Sequence, residues 1–147
     1  MSAAAVFANI EDAASILEAA GCVSAGPTSG SFACLASAKL AQQKGVFFVT
    51  AHHDEADETA EMFRDMGVEV ELFPALESEV AKELVAERFA VLEHLACSRS
   101  PRVIVSSIAA AMQMTPPKVE VPNIVRRIRR GDSCSLGGLQ LWLVEAG

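Results

Sequence analysis

The chain has 147 residues, a hydrophobic fraction of 51%, few aromatics and no Tyr, a composition that builds a packed core and excludes a disordered polymer. Its formal net charge of −7 excludes a chain that acts as a whole as a nucleic-acid clamp, because phosphate binding needs a positive surface. The sequence has no apolar run near the roughly 20 residues of a membrane helix, and the first ten residues lack the basic start of a signal peptide. Cys22, Cys34, Cys97 and Cys134 form no C-x-x-C pair, which points to free thiols in a reducing cytoplasm.

In chain order, residues 9–20 read as a helix with Ile10, Ala13, Ala14 and Leu17 on one face and Gly21 as its stop. Residues 22–25 are a short strand candidate, followed by a turn-rich stretch from Gly26 through Pro27, Thr28, Ser29 and Gly30 to Ser31. A helix is predicted over residues 32–44, with Leu35, Ala36 and Leu40 inward and Gly45 closing it. The run Val46-Phe47-Phe48-Val49 suits a parallel strand buried on both faces.

Residues 54–66 carry an apolar stripe of Ala56, Ala60, Phe63 and Met66, with acids in the first turn and Gly67 at the end, and so predict a helix capped by Asp54. A strand over residues 68–73 stops at Pro74. The next helix is expected over residues 79–96, on Val85, Phe89, Leu92 and Ala96, widened by Leu84, Val91 and Leu95. Val103-Ile104-Val105 is a further buried strand, and residues 108–114 a short helix halted by Pro116 and Pro117. The alternation implies an α/β fold, a mostly parallel sheet flanked by helices. After Pro122 the character changes. Residues 124–130 are basic and β-prone, Gly131-Asp132 is a turn, and residues 136–146 suit a helix. We therefore divide the chain into an α/β domain over 1–122 and the incomplete start of a second α+β module over 123–147.

Four constellations could carry chemistry. The loop from Gly26 through Thr28, Ser29 and Gly30 to Ser31 joins a strand to a helix N-terminus, an arrangement that cradles anions with free backbone N–H groups. A working P-loop also needs Lys for the β/γ-phosphates and a hydroxyl for Mg²⁺. Those positions fall on Ala33 and Cys34, and Phe32 intrudes on the cradle, so the loop reads as a degenerate connector with no functional cofactor binding. Asp54-Glu55-Ala56-Asp57 spells the helicase DEAD box, but His52 and His53 separate it from the strand, and it reads better as an acidic helix start.

His52 and His53 with Asp54 and Asp57 could be read as a metal cluster. Adjacent side chains on extended backbone point to opposite faces, which favours a solvated corner and no metal site. The run Arg126-Arg127-Ile128-Arg129-Arg130 could meet phosphate or an acidic partner, and reads more simply as a charged edge strand. No serine sits in a G-x-S-x-G elbow, and no catalytic residue is assigned.

Thr28-Ser29-Gly30-Ser31 before a helix, the strand at Val46, an acidic helix and Glu71-Leu72-Phe73-Pro74 followed by Glu77 come in an order that resembles the N-terminal region of the bacterial transcription-repair coupling factors. Glu87-Arg88-Phe89, Val103-Ile104-Val105, the helix through Met112, Pro116-Pro117, Gly131-Asp132 and Glu145-Ala146-Gly147 extend the resemblance over about residues 22–147. The sequence departs from that pattern at Leu76, where the family usually has Trp, and in lacking a Pro-Tyr-rich segment after Glu77.

The resemblance implies a P-loop-NTPase-like domain similar to the nucleotide-binding domain of the excision-repair protein UvrB, with ATPase competence lost. It implies a cytoplasmic, noncatalytic part in transcription-coupled nucleotide excision repair. The parent protein would be an ATP-dependent DNA translocase that recruits UvrA and displaces stalled RNA polymerase, with ATP, Mg and DNA handled by a separate motor domain. The UvrA-contacting module would begin near residue 123.

Overall fold

The computed structural model describes residues 4–5, 24–25, 29–76, 82–97 and 103–146. Strands β1 (Ala4–Ala5) and β2 (Ser24–Ala25) form a parallel pair, with Ala4 opposite Ser24. The expected helix over residues 9–20 and the first half of the loop, Gly26 to Thr28, lie outside the described residues.

The main sheet has three parallel strands in the order β3-β5-β4, namely β3 (Val46–Thr50), β5 (Val103–Ser107) and β4 (Val70–Phe73). Helices lie between them in the chain: α1 (Gly30–Leu40) before β3, α2 (His53–Asp65) between β3 and β4, and α3 (Lys82–Ala96) between β4 and β5. The expectation of an α/β fold with a small parallel sheet flanked by helices therefore holds.

Every residue of β5 is buried, as suits a central strand with helices on both faces. On one face Val103 and Val105 join Val46, Phe48, Val70 and Leu72 beneath Ala56, Ala60 and Phe63 of α2 and Cys34 of α1. The rings of Phe48 and Phe63 meet edge to face, 5.6 Å apart. On the other face Ile104 and Phe73 pack against Val91 and Leu92 of α3 and against Ala110.

The end of α2 follows from one glycine. Gly67 has φ +71°, Val68 N–H donates to Phe63 C=O at 3.0 Å, and Gly67 N–H donates to Arg64 C=O at 2.9 Å. This is a Schellman motif, which needs a residue that enters the left-handed region without strain.

Several expectations are corrected. The run from Val46 to Val49 is not buried on both faces, because β3 lies at the edge of the three-stranded sheet, where Phe47 is 54% and Val49 43% exposed. Helix α1 begins at Gly30 rather than residue 32 and ends at Leu40, with Leu35 exposed and Cys34, Ala36 and Ala41 buried. Its earlier start follows from Ser29, whose hydroxyl accepts from Phe32 N–H at 3.2 Å as an N-cap.

His52, not Asp54, is the N-cap of α2, and the Glu55 carboxylate accepts from His52 N–H at 3.4 Å. Residues 124–130 form no strand. Pro122 sits in the first turn of a short helix α5 (Val121–Ile124), and the arginines that follow have no partner strand. The expected helix over 108–114 is one turn, α4 (Ile108–Ala111), and the last helix, α6 (Leu136–Ala146), has the bounds read from sequence.

Candidate functional site

Two cavities lie where the sequence places candidate chemistry. The first opens beside the N-terminus of α1, with a volume of about 720 Å³. Gly30 and Cys34 of α1 and Thr50 of β3 contribute to its wall, which also carries Glu55, Glu58, Glu61 and Asp65 of α2. Cys34 is 2% exposed and packs in the core. Burial pushes its thiol above the ordinary cysteine range, which favours the protonated form over the reactive thiolate.

One N–H at the helix start is already occupied by the Ser29 hydroxyl. A triphosphate entering here would meet four carboxylates, whose field opposes a polyanion. Of the loop residues singled out in the sequence, Ser29, Gly30, Ser31, Ala33 and Cys34 are gathered at this helix start, and Ser31 is exposed.

The second cavity, about 250 Å³, sits at the carboxyl end of the sheet between the start of α2 and the end of β4. Open α/β sheets bind ligands at this edge. Its walls are mainly apolar, from Leu72, Phe73, Pro74 and Leu84, with His53, Asp57 and Ser107 as polar groups. The Ser107 hydroxyl caps α4 by accepting from Ala110 N–H at 3.2 Å. Ser106 is fully buried, with its hydroxyl 3.1 Å from its neighbour's carbonyl. The hydrogen bonds of both hydroxyls go to backbone groups: Phe73 and Ser107 carbonyls for Ser106, and Ala110 N–H for Ser107.

Of the proposed histidine cluster, His53 and Asp57 share this cavity, while His52 serves as helix cap and Asp54 as an exposed first-turn acid. Among the described residues no three His, Cys, Asp or Glu side chains converge in a way that could hold a metal ion.

Sequence reasoning missed two groups. Arg88 sits within the apolar face of α3 and is 3% exposed. Its guanidinium donates to the carbonyls of Pro74 at 2.8 Å, Ala110 at 3.2 Å and Gln113 at 3.4 Å, and lies 3.9 Å over the Phe73 ring. Burial lowers its pKa, but an arginine keeps its charge at any working pH. Gln113 completes the clamp. Its side chain accepts from Leu76 N–H at 2.8 Å and donates to Leu76 C=O at 2.7 Å.

The second group is Glu71, His94, Glu93 and Arg127, which join β4, α3 and the arginine segment. The one available signal was His94 on α3, a polar residue beside the Leu92 and Leu95 positions.

The arginines of the basic run are exposed, Arg127 donates to Glu93 at 2.6 Å, and Arg129 N–H donates to Asp132 at 2.7 Å. No helix among the described residues is long and apolar enough to cross a membrane. No family model matches the chain, and no characterised protein or solved structure matches it either.

Proposed function

We propose that this chain is a noncatalytic scaffold and regulatory domain of a bacterial transcription-repair coupling factor, a UvrB-like domain that has lost nucleotide use. The reading rests on the order of motifs from the Thr28-Ser29-Gly30-Ser31 loop to the Gly131-Asp132 turn. One observation carries its noncatalytic part: the helix start that would grip phosphate bears Ala33 and a buried Cys34, and its cavity is lined by Glu55, Glu58, Glu61 and Asp65. In this proposal UvrA, RNA polymerase and DNA are partners of the parent protein, and ATP with Mg²⁺ serves its motor.

Titration with a fluorescent ATP analogue and Mg²⁺ tests the nucleotide claim. The expected result is no saturable binding for the wild type. The double variant Ala33→Lys with Cys34→Thr should also fail, because the four acids remain. Saturable micromolar binding by the wild type would reject the reading. A pull-down with UvrA, using this chain and a longer one carrying the module expected after residue 123, tests the partner claim. Capture by the longer chain is expected, and its absence removes the family reading.

A further inference from the structure

The cluster at Glu71, His94, Glu93 and Arg127 ties the arginine segment to the α/β body. The His94 Nδ1 lies 2.5 Å from Glu71 Oε1, and its Nε2 lies 3.5 Å from the Arg127 guanidinium. Arg127 also donates to Glu93 at 2.6 Å. The four side chains are partly open to water: His94 is 32% exposed, Glu71 25%, Arg127 41% and Glu93 20%. These groups are the charged and titratable neighbours of the ring: Glu71 from β4, Glu93 from α3 itself, and Arg127 from the segment after α5.

The donor inventory sets the proton positions. An ionised carboxylate only accepts, so Nδ1 must carry the hydrogen that Glu71 receives. A guanidinium only donates, so the nitrogen facing Arg127 must be bare. Only a neutral imidazole protonated at Nδ1 meets both demands. A second proton, on Nε2, would set one N–H against another and one positive charge against another. The bond to Glu71 would survive and strengthen, because both partners would then be charged.

We infer that His94 is a proton-operated latch: neutral, it backs the Glu93 hold on Arg127, and protonated, it keeps Glu71 and leaves Arg127 to Glu93 alone. Glu93 limits the movement, since it holds the guanidinium in either state. Val121 is 2% exposed and α5 packs on α3, so the arm shifts at Arg127 while its root stays in place. Loss of the His94 contact leaves the Arg127 guanidinium on Glu93 alone, beside the exposed Arg126, Arg129 and Arg130.

Long-range ¹H–¹⁵N spectra of the imidazoles read the tautomer, and ¹⁵N-detected arginine spectra read the Arg127 contact, both from pH 5 to 8. In its neutral form His94 should be protonated at Nδ1. Acidification should lower the bound population of Arg127 about twofold to fivefold, the scale of an exposed charge contact. His94→Gln should abolish that pH response. The pair His52→Gln with His53→Gln, remote from the cluster, should leave it unchanged. The inference is overturned if neutral His94 carries its proton on Nε2. It is also overturned if Arg127 responds to pH equally in the His94→Gln variant.

Discussion

Helices α2 and α6 are of similar length and opposite fate. Helix α2, His53–Asp65, has seven Asp, Glu or Arg residues among thirteen, yet it buries Ala56, Thr59, Ala60 and Phe63. Helix α6, Leu136–Ala146, has one charged residue and is apolar around most of its circumference, yet Leu136 is 73%, Leu141 62% and Val144 80% exposed. Apolar content does not by itself seat a helix. In α2 the small Ala56 and Ala60 let the backbone approach the sheet, and Phe63 fills the space between β3 and β5. Helix α6 has Trp142 donating to the Asn123 carbonyl at 3.1 Å, but no sheet face beneath it among the described residues.

The largest expected effect follows from breaking the well-seated side of this comparison. Phe63 is fully buried against Phe48, Val103 and Val105. Phe63→Ala removes its transfer free energy and leaves a cavity, at a cost of about 3–5 kcal/mol. Urea unfolding followed by circular dichroism should show this as a lower midpoint at nearly unchanged slope.

The next effect comes from the opposite face of the sheet. Arg88→Met keeps most of the volume but removes the donors that serve the carbonyls of Pro74, Ala110 and Gln113. Leaving these acceptors short of partners should cost about 2–3 kcal/mol. Lysine restores the charge without the planar fork, so Arg88→Lys should recover only part of the loss. Full recovery by lysine would mean that charge alone, rather than the three-way geometry, holds the loop after β4.

How far the sequence could be read depended on the range of the interaction. The Ala56, Ala60, Phe63 stripe and the Gly67 stop are local patterns, and both appear as expected in α2. Cys34 and Ala33 at the helix start were likewise readable, because the loop pattern fixes their positions relative to Gly30. Whether an apolar strand is central or at an edge is not local. Val46 to Val49 and Val103 to Val105 look alike as sequences, and only the order β3-β5-β4 leaves Phe47 and Val49 open while burying all of β5.

The same holds for Arg88, which occupies a helical stripe position between Leu84 and Val91 that a hydrophobic pattern skips. Its partners lie 14 to 25 residues away. The arginine segment misled for a related reason. Its residues favour a strand, but a strand needs a neighbour, and residues 124–130 have none in the sheet.

The smallest effect should come from α6 and tests the other half of the comparison. Leu141→Ser and Val144→Ser change large apolar residues on a helix that leaves both exposed. If burial rather than hydropathy decides stability, each should stay within about 0.5 kcal/mol in the same urea assay. The same pair of changes should reduce self-association in sedimentation measurements, because a contiguous exposed apolar patch is a docking or aggregation liability. A stability loss near that of Phe63→Ala would mean that α6 is seated against a surface in solution. The contrast between the two helices would then be one of partners found and not found, and no longer one of helix design.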